Sequence, residues 1–285
     1  MPITVKRLTS CKIEEAITAW NRGFEGYFVQ MEMTPEMFFS RLVNEGLSLN
    51  HSLVGFDVDE PIAIVLNGIR IIDGKKTVWN GGTGVAPEYR GKGVSSLLME
   101  ETLKVYTEVG IEVATLEAIK NNEKAIRLYQ KAGYEITDML VYLIGTPEIK
   151  PHAGIISSQT IRPEQLAKLP IYKENVPWQC QWQSSKTGEA KVYYDGKKER
   201  IGYALYKRLW NEKGELEKVF LYQFQLRKEI SKKLVDSIFA DIADNEMTPV
   251  NFMTINASMQ NPTTQYLLEN GFTISTEQVQ MLRKM

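Results

Sequence analysis

The stretch Gly84-Val85-Ala86-Pro87-Glu88-Tyr89-Arg90-Gly91-Lys92-Gly93-Val94-Ser95-Ser96 joins a strand-like run to a helix-like one. Pro87 cannot donate to a sheet ladder, so the strand ends near Val85. A glycine-rich turn then opens directly into a helix. The first N–H groups of that helix have no intrahelical acceptor and carry the positive end of its dipole. Such a turn is a cradle for phosphate. Gly91 and Gly93 allow close backbone approach, while Arg90 and Lys92 add positive charge. Two nucleotide motifs fail here. A Walker A loop needs glycine where Ala86 stands and Ser or Thr where Gly93 stands. A dinucleotide fingerprint needs a third glycine where Ser96 stands. The plain alternative is a tight turn whose basic side chains are simply solvated.

Working outward, Asp73-Gly74 between apolar runs marks a hairpin, pairing a strand over 76–85 with one over 61–71. Another strand is expected over 52–58. Gly81, Gly82 and Gly84 weaken the strand over 76–85 as plain sheet and point to a bulge or to close backbone approach by a ligand. Helices are expected over 13–22, 94–109 and 122–132, the last two stopped by Gly110 and Gly133. Strands are expected over 112–118 and 134–144. Residues 146–156 read as a linker. The second half repeats the order, with helices over 163–169, 228–243 and 262–270 and strands over 191–194, 201–207, 218–226, 250–255 and 272–282. Its helix end Glu269-Asn270-Gly271-Phe272-Thr273-Ile274 matches Lys131-Ala132-Gly133-Tyr134-Glu135-Ile136.

After the strand over 112–118 comes Asn121-Asn122-Glu123-Lys124-Ala125-Ile126-Arg127-Leu128-Tyr129-Gln130-Lys131-Ala132-Gly133-Tyr134. With this segment added, residues 3–145 resemble the GNAT acyl-CoA N-acyltransferase superfamily. Its first signature, Arg/Gln-x-x-Gly-x-Gly/Ala, is met by Arg90-Gly91-Lys92-Gly93-Val94-Ser95, with serine in the last small position. Its second, Asn-x-x-Ala-x-x-x-Tyr-x-x-x-Gly-aromatic, is met by Asn122, Ala125, Tyr129, Gly133 and Tyr134. The resemblance implies an α/β (α+β) GNAT fold with a mixed, mostly antiparallel central sheet flanked by helices. It implies acetyl-CoA as acyl donor, held by Val85, Arg90, Gly91, Lys92, Gly93, Val94, Ser95, Ser96 and Asn122, with no metal. Residues 1–145 would be the catalytic domain, 146–156 the linker and 157–285 a degenerate GNAT-like domain.

Acyl transfer to an amine needs a deprotonated nucleophile and a proton for the departing thiolate. An amine of pKa ~10.4 is neutral in only about four molecules per ten thousand at pH 7, and deprotonating it costs ~4.6 kcal/mol. In the family, the tyrosine matching Tyr129 commonly protonates the thiolate, and its pKa of ~10 suits that role. Its plain reading is a packing tyrosine. Glu117, in Ala114-Thr115-Leu116-Glu117-Ala118-Ile119, is the candidate base, with apolar neighbours expected to raise its pKa. A structural glutamate and an ordered water as base are the alternatives. The strand over 76–85 offers no carboxylate, only Asn80 and Thr83, which could position water. Phe24, Tyr27, Phe28 and Met31, with Trp20, correspond to the segment that walls the acceptor site in the family. A Met and aromatic cluster at helical spacing is more often core than pocket.

At the junction Phe224-Gln225-Leu226-Arg227-Lys228-Glu229-Ile230 the second half has no glycine, so no cradle is expected there. Spacing from Gly271 puts Leu267 at the tyrosine position and Ile255 at the glutamate position. Composition narrows the rest. The chain has 285 residues, a net charge of -1, two cysteines and two histidines. A disulfide scaffold and a zinc site have no support. Near-neutral charge and the short mixed run Lys197-Lys198-Glu199-Arg200 argue against nucleic acid. No apolar run reaches the ~20 residues of a membrane span, and a cytoplasmic location is expected. The expected activity is acetyl transfer to a primary amine of a small molecule or peptide, in a monomer or homodimer. The alternative is a non-catalytic acyl-CoA sensor or scaffold.

Overall fold

The computed structural model describes residues 3–28, 32–147, 152, 154–227, 230–244 and 249–285. Met31, residues 148–151 and 153 of the expected linker, and Lys228 and Glu229 of the expected helix lie outside them. By its internal contacts the chain divides into two units, Met1–Thr137 with Val279–Met285, and Asp138–Gln278. The sequence puts the divide in a linker at 146–156. In the structure the division falls inside two strands, β6 (Glu135–Gly145) and β13 (Thr273–Lys284).

The first unit runs β1 (Ile3–Arg7), α1 (Ile13–Gly23), α2 (Pro35–Glu45), β2 (Leu53–Asp57), β3 (Glu60–Ile72), β4 (Lys75–Val85), α3 (Val94–Glu108), β5 (Val113–Ile119) and α4 (Glu123–Lys131). Its sheet order is β1-β2-β3-β4-β5, followed by β13. The first four strands are antiparallel, and β4 pairs parallel with β5. Asp73 and Gly74 take φ of 48° and 74° and close the β3–β4 hairpin at Ile72–Lys75, as the Asp-Gly pair predicts. Strand alternation sorts the side chains to two faces. Ala63, Val65 and Val85 face Val94, Leu98 and Val105 of α3. Gly82 and Gly84, on the opposite face, lie against Trp20 and Phe24 at the end of α1.

The second unit takes the rest of β6, then β7 (Ile156–Ile161), β8 (Glu189–Asp195), β9 (Arg200–Trp210), β10 (Leu216–Leu226), α5 (Lys232–Ile242), β11 (Asn251–Thr254), β12 (Ala257–Ser258), α6 (Pro262–Glu269) and the start of β13. Its sheet order is β6-β11-β10-β9-β8-β7, again with one parallel pair, β10–β11. The helix expected over 163–169 is a short 3-10 turn at Pro163–Lys168. Strands β1 and β7 and helix α2 are structure the sequence reading does not anticipate. Among the described residues no helix is long and apolar enough to cross a membrane.

Candidate active site

Helix α3 begins without a side-chain cap: its N-cap is Gly93, in the left-handed region at φ 85°. Gly91 has φ 74°, and a Cβ built at either glycine meets nothing within 4 Å. Backbone conformation therefore demands these glycines, and the space in front of them is open. The N–H groups of Val94, Ser95 and Ser96 are the orphan donors of the first turn. Arg90 is differently employed than its charge suggests. Its guanidinium donates to the carbonyls of Val85 (2.8 Å), Gly23 (3.1 Å) and Glu25 (2.7 Å), tying the end of β4 to the end of α1. Lys92 stays exposed, its ammonium 5.8 Å from the Tyr89 ring centroid.

The parallel β4–β5 pairing runs only from Thr77–Val113 to Asn80–Leu116. A bulge at Gly81 follows immediately, where Leu66 pairs with Gly82 but Asn67 with Asn80. Beyond it the strands are no longer paired. Ala86 N–H donates to Ile62 O, so antiparallel alternation turns the backbone groups of Thr83 and Val85 away from β3 and toward that gap. The Val85 side chain itself belongs to the core.

Tyr129 of α4 reaches the gap on the α3 face. It is buried, with its phenol near the Thr83 hydroxyl. Burial pushes its pKa up to about 12, with the Thr83 contact pulling the other way. Asn80 orders that contact: its Oδ1 accepts from Gly82 N–H at 3.1 Å, and its Nδ2 donates to Thr83 Oγ1 at 2.9 Å. Asn122 caps α4, accepting from Ala125 N–H at 3.2 Å, and lies near the Tyr27 phenol, which is close enough to Tyr129 to interact electrostatically. Asn80, Thr83, Tyr129, Tyr27 and Asn122 thus form one group.

Glu117 belongs to the other face. Leu116 pairs with Asn80, so its neighbour Glu117 projects oppositely, toward Trp79, whose Nε1–H donates to Glu117 Oε2 at 2.6 Å. The structure does not bring Glu117 and Tyr129 into one cluster; it sets them on opposite faces of the gap. Phe24 is core, its ring centroid 4.2 Å from that of Trp20 at a 33° tilt and packed on Gly84. Phe28 is 58% exposed. Of the aromatic segment, only Tyr27 joins the site. Trp79 is the neighbour that sequence reasoning misses. Its signal is its place two residues before the bulge, but only the β4–β5 register links it to Glu117.

Residues 14–134 match the acetyltransferase (GNAT) family. Those residues form a GNAT acetyltransferase domain. It is similar to the GCN5-related N-acetyltransferase from Anabaena variabilis ATCC 29413, at 20% identity and TM-score 0.60, over 99% of this chain and 73% of that one. It is similar also to a GCN5-related N-acetyltransferase from Sphaerobacter thermophilus, at 12% identity and TM-score 0.63, over 99% and 95%. A tandem GNAT protein from the clavulanic acid biosynthesis pathway matches at 10% identity and TM-score 0.62, over 99% and 98%. At these identities the likeness is one of fold, and it extends through both units.

The two units of the chain can be aligned in register by their own pairing. In the second, β10–β11 pairing ends at Leu221–Thr254 and a bulge follows at Tyr222. Leu221, Tyr222 and Phe224 therefore stand where Asn80, Gly81 and Thr83 stand in the first. Both helix ends repeat one bond, Tyr134 N–H to Tyr129 O and Phe272 N–H to Leu267 O, each 3.0 Å. Leu267 replaces the tyrosine and is buried in a core with Phe224, Phe239, Phe252 and Phe272. The helix start differs as well. Ser231 caps α5 with its own side chain, accepting from Leu234 N–H at 3.3 Å. Ile255, not a carboxylate, follows Thr254. The second unit keeps the backbone plan and carries hydrocarbon side chains at these positions.

Proposed function

We propose that this protein transfers the acetyl group of acetyl-CoA to the primary amine of a small molecule or peptide, by direct transfer in a ternary complex. The observation that carries this reading is the uncapped, glycine-built start of α3 beside a parted pair of parallel strands. The open space before Gly91 and Gly93 fits a pyrophosphate, which the N–H groups of Val94, Ser95 and Ser96 would hold. Lys92 adds charge. The turned-out backbone of Thr83 and Val85, with Asn122, lines the path for an extended arm. Bound acetyl-CoA supplies a thioester, whose cleavage releases a thiol.

The two faces then divide the proton work. Glu117 takes a proton from the amine on the α1 face, and Tyr129 gives one to the departing sulfur on the α3 face. Neither proton has to cross the other's path. Two unbridged cysteines, Cys11 and Cys180, fit a reducing, cytoplasmic setting.

The test begins with thermal unfolding with and without acetyl-CoA. A ligand at 100 times its Kd stabilises the native state by ~2.7 kcal/mol, and Gly93→Asp should abolish that shift. Thiol release with an amine panel follows. Tyr129→Phe should lower turnover by about 10²–10⁴-fold while keeping the acetyl-CoA shift. A shift with no thiol released, with or without amine, would instead identify a binding module. No shift at millimolar acetyl-CoA would remove the donor assignment.

A further inference from the structure

We infer that Trp79 is a positioning residue for Glu117: its indole holds the carboxylate in place across the parted strands and favours the charged form. The inference rests on the reading of Glu117 as the base. Glu117 is the first residue of β5 beyond the last β4–β5 pair, so that ladder does not fix it against β4. The indole supplies the bridge. Its Nε1–H donates to Oε2 at 2.6 Å.

The ring is itself held. Trp79 is 3% exposed and lies across Gly81, where a Cβ would sit 2.6 Å from a ring carbon. The Gly81 carbonyl is bound by the Arg41 guanidinium, whose Nε pairs with Glu45 at 2.7 Å. The bulge, the ring over its glycine and the carboxylate at the ring's edge form one assembly. A donor fixed on a carboxylate stabilises the charged form against protonation. Among the described residues, Arg41 pairs with Glu45 on α2, Arg22 of α1 with Glu60 and Glu88, and Arg283 of β13 donates to the Ala132 carbonyl.

The first readout needs no acetyl-CoA. The chain has five tryptophans, giving five indole N–H signals in a 15N-labelled sample. One of them, absent in Trp79→Phe, should move with a single carboxylate titration between pH 8 and 4 and stand still in Glu117→Gln. A Trp79 signal that does not titrate overturns the inference. In turnover, Trp79→Phe should lower kcat/KM by about 10–100-fold, as small misplacements of catalytic groups do, with KM for acetyl-CoA unchanged. Its acidic limb should move to higher pH, and it should cost nothing further in the Glu117→Gln background. Gly81→Ala keeps the indole but displaces the ring, and should shift the limb the same way if Trp79→Phe does not fold. Wild-type turnover in Glu117→Gln would remove the base reading itself. Inactive Glu117→Gln beside a wild-type rate and limb in Trp79→Phe would leave the base in place and refute the positioning role.

Discussion

Besides its proposed role as the acid, Tyr129 carries a stability signature. In the folded chain Tyr129 ionises near 12, against about 10 when exposed, because burial penalises the phenolate. The unfolded chain therefore loses that proton first. Below pH 10 both states keep it and stability does not depend on it; between 10 and 12 the native state holds more protons, so stability falls as pH rises. The full loss, reached above pH 12, is on the order of 3 kcal/mol. Urea unfolding at pH 8, 9.5 and 11 should show a smaller alkaline loss in Tyr129→Phe than in wild type. Equal losses would contradict a buried, protonated Tyr129. The motif spacing makes Tyr129 and Asn122 legible from the sequence, because both sit on one short helix whose geometry is local. Trp79 is not legible as a partner of Glu117, because 38 residues separate them and only the parallel register joins them.

At the level of elements, β4 shows what glycine reveals and what it conceals. Gly81, Gly82 and Gly84 announce that something comes close to the strand, and a ligand is one occupant expected there. The structure gives much of the space to the protein itself: Trp79 over Gly81, Trp20 over Gly82, and Phe24 with the backbone of Gly23 against Gly84. A Cβ at residue 84 would sit 2.9 Å from the Phe24 ring and 3.0 Å from the Gly23 carbonyl carbon. Gly84→Ala should therefore destabilise the fold by ~1–3 kcal/mol through overpacking, measurable by denaturant unfolding. An unchanged midpoint would mean that α1 does not press on β4 as described. Helix α2 escapes the sequence reading although its signals are present: Thr34 caps it, Pro35 opens it and Gly46 ends it at φ 65°. Its run of Met and Phe obscures the period. The helix expected over 163–169 fails for the opposite reason, since apolar spacing over one turn cannot tell a helix from a 3-10 turn.

For the whole molecule, order along the chain and order in space diverge. Val279–Met285 belongs to the first unit, where β13 lies beside β5 and Met285 N–H donates to Glu112 O at 2.9 Å. Ending the chain at Gln278 would leave the strand that carries Glu117 with a bare edge. Such a truncation should lower the unfolding midpoint of the first unit and promote association, read by calorimetry and size-exclusion chromatography; an unchanged melt and acetyl-CoA response would contradict the assignment. The same arrangement bears on how the protein is born. Domains usually fold in the order in which the ribosome delivers them, at about 5–20 residues per second. Here the leading domain emerges lacking a strand and waits, for on the order of ten seconds, while the trailing one is translated. A ribosome that stalls before residue 279 releases a chain whose first unit lacks its last strand, so premature termination there leaves that unit unfinished even when all of residues 1–137 have been made.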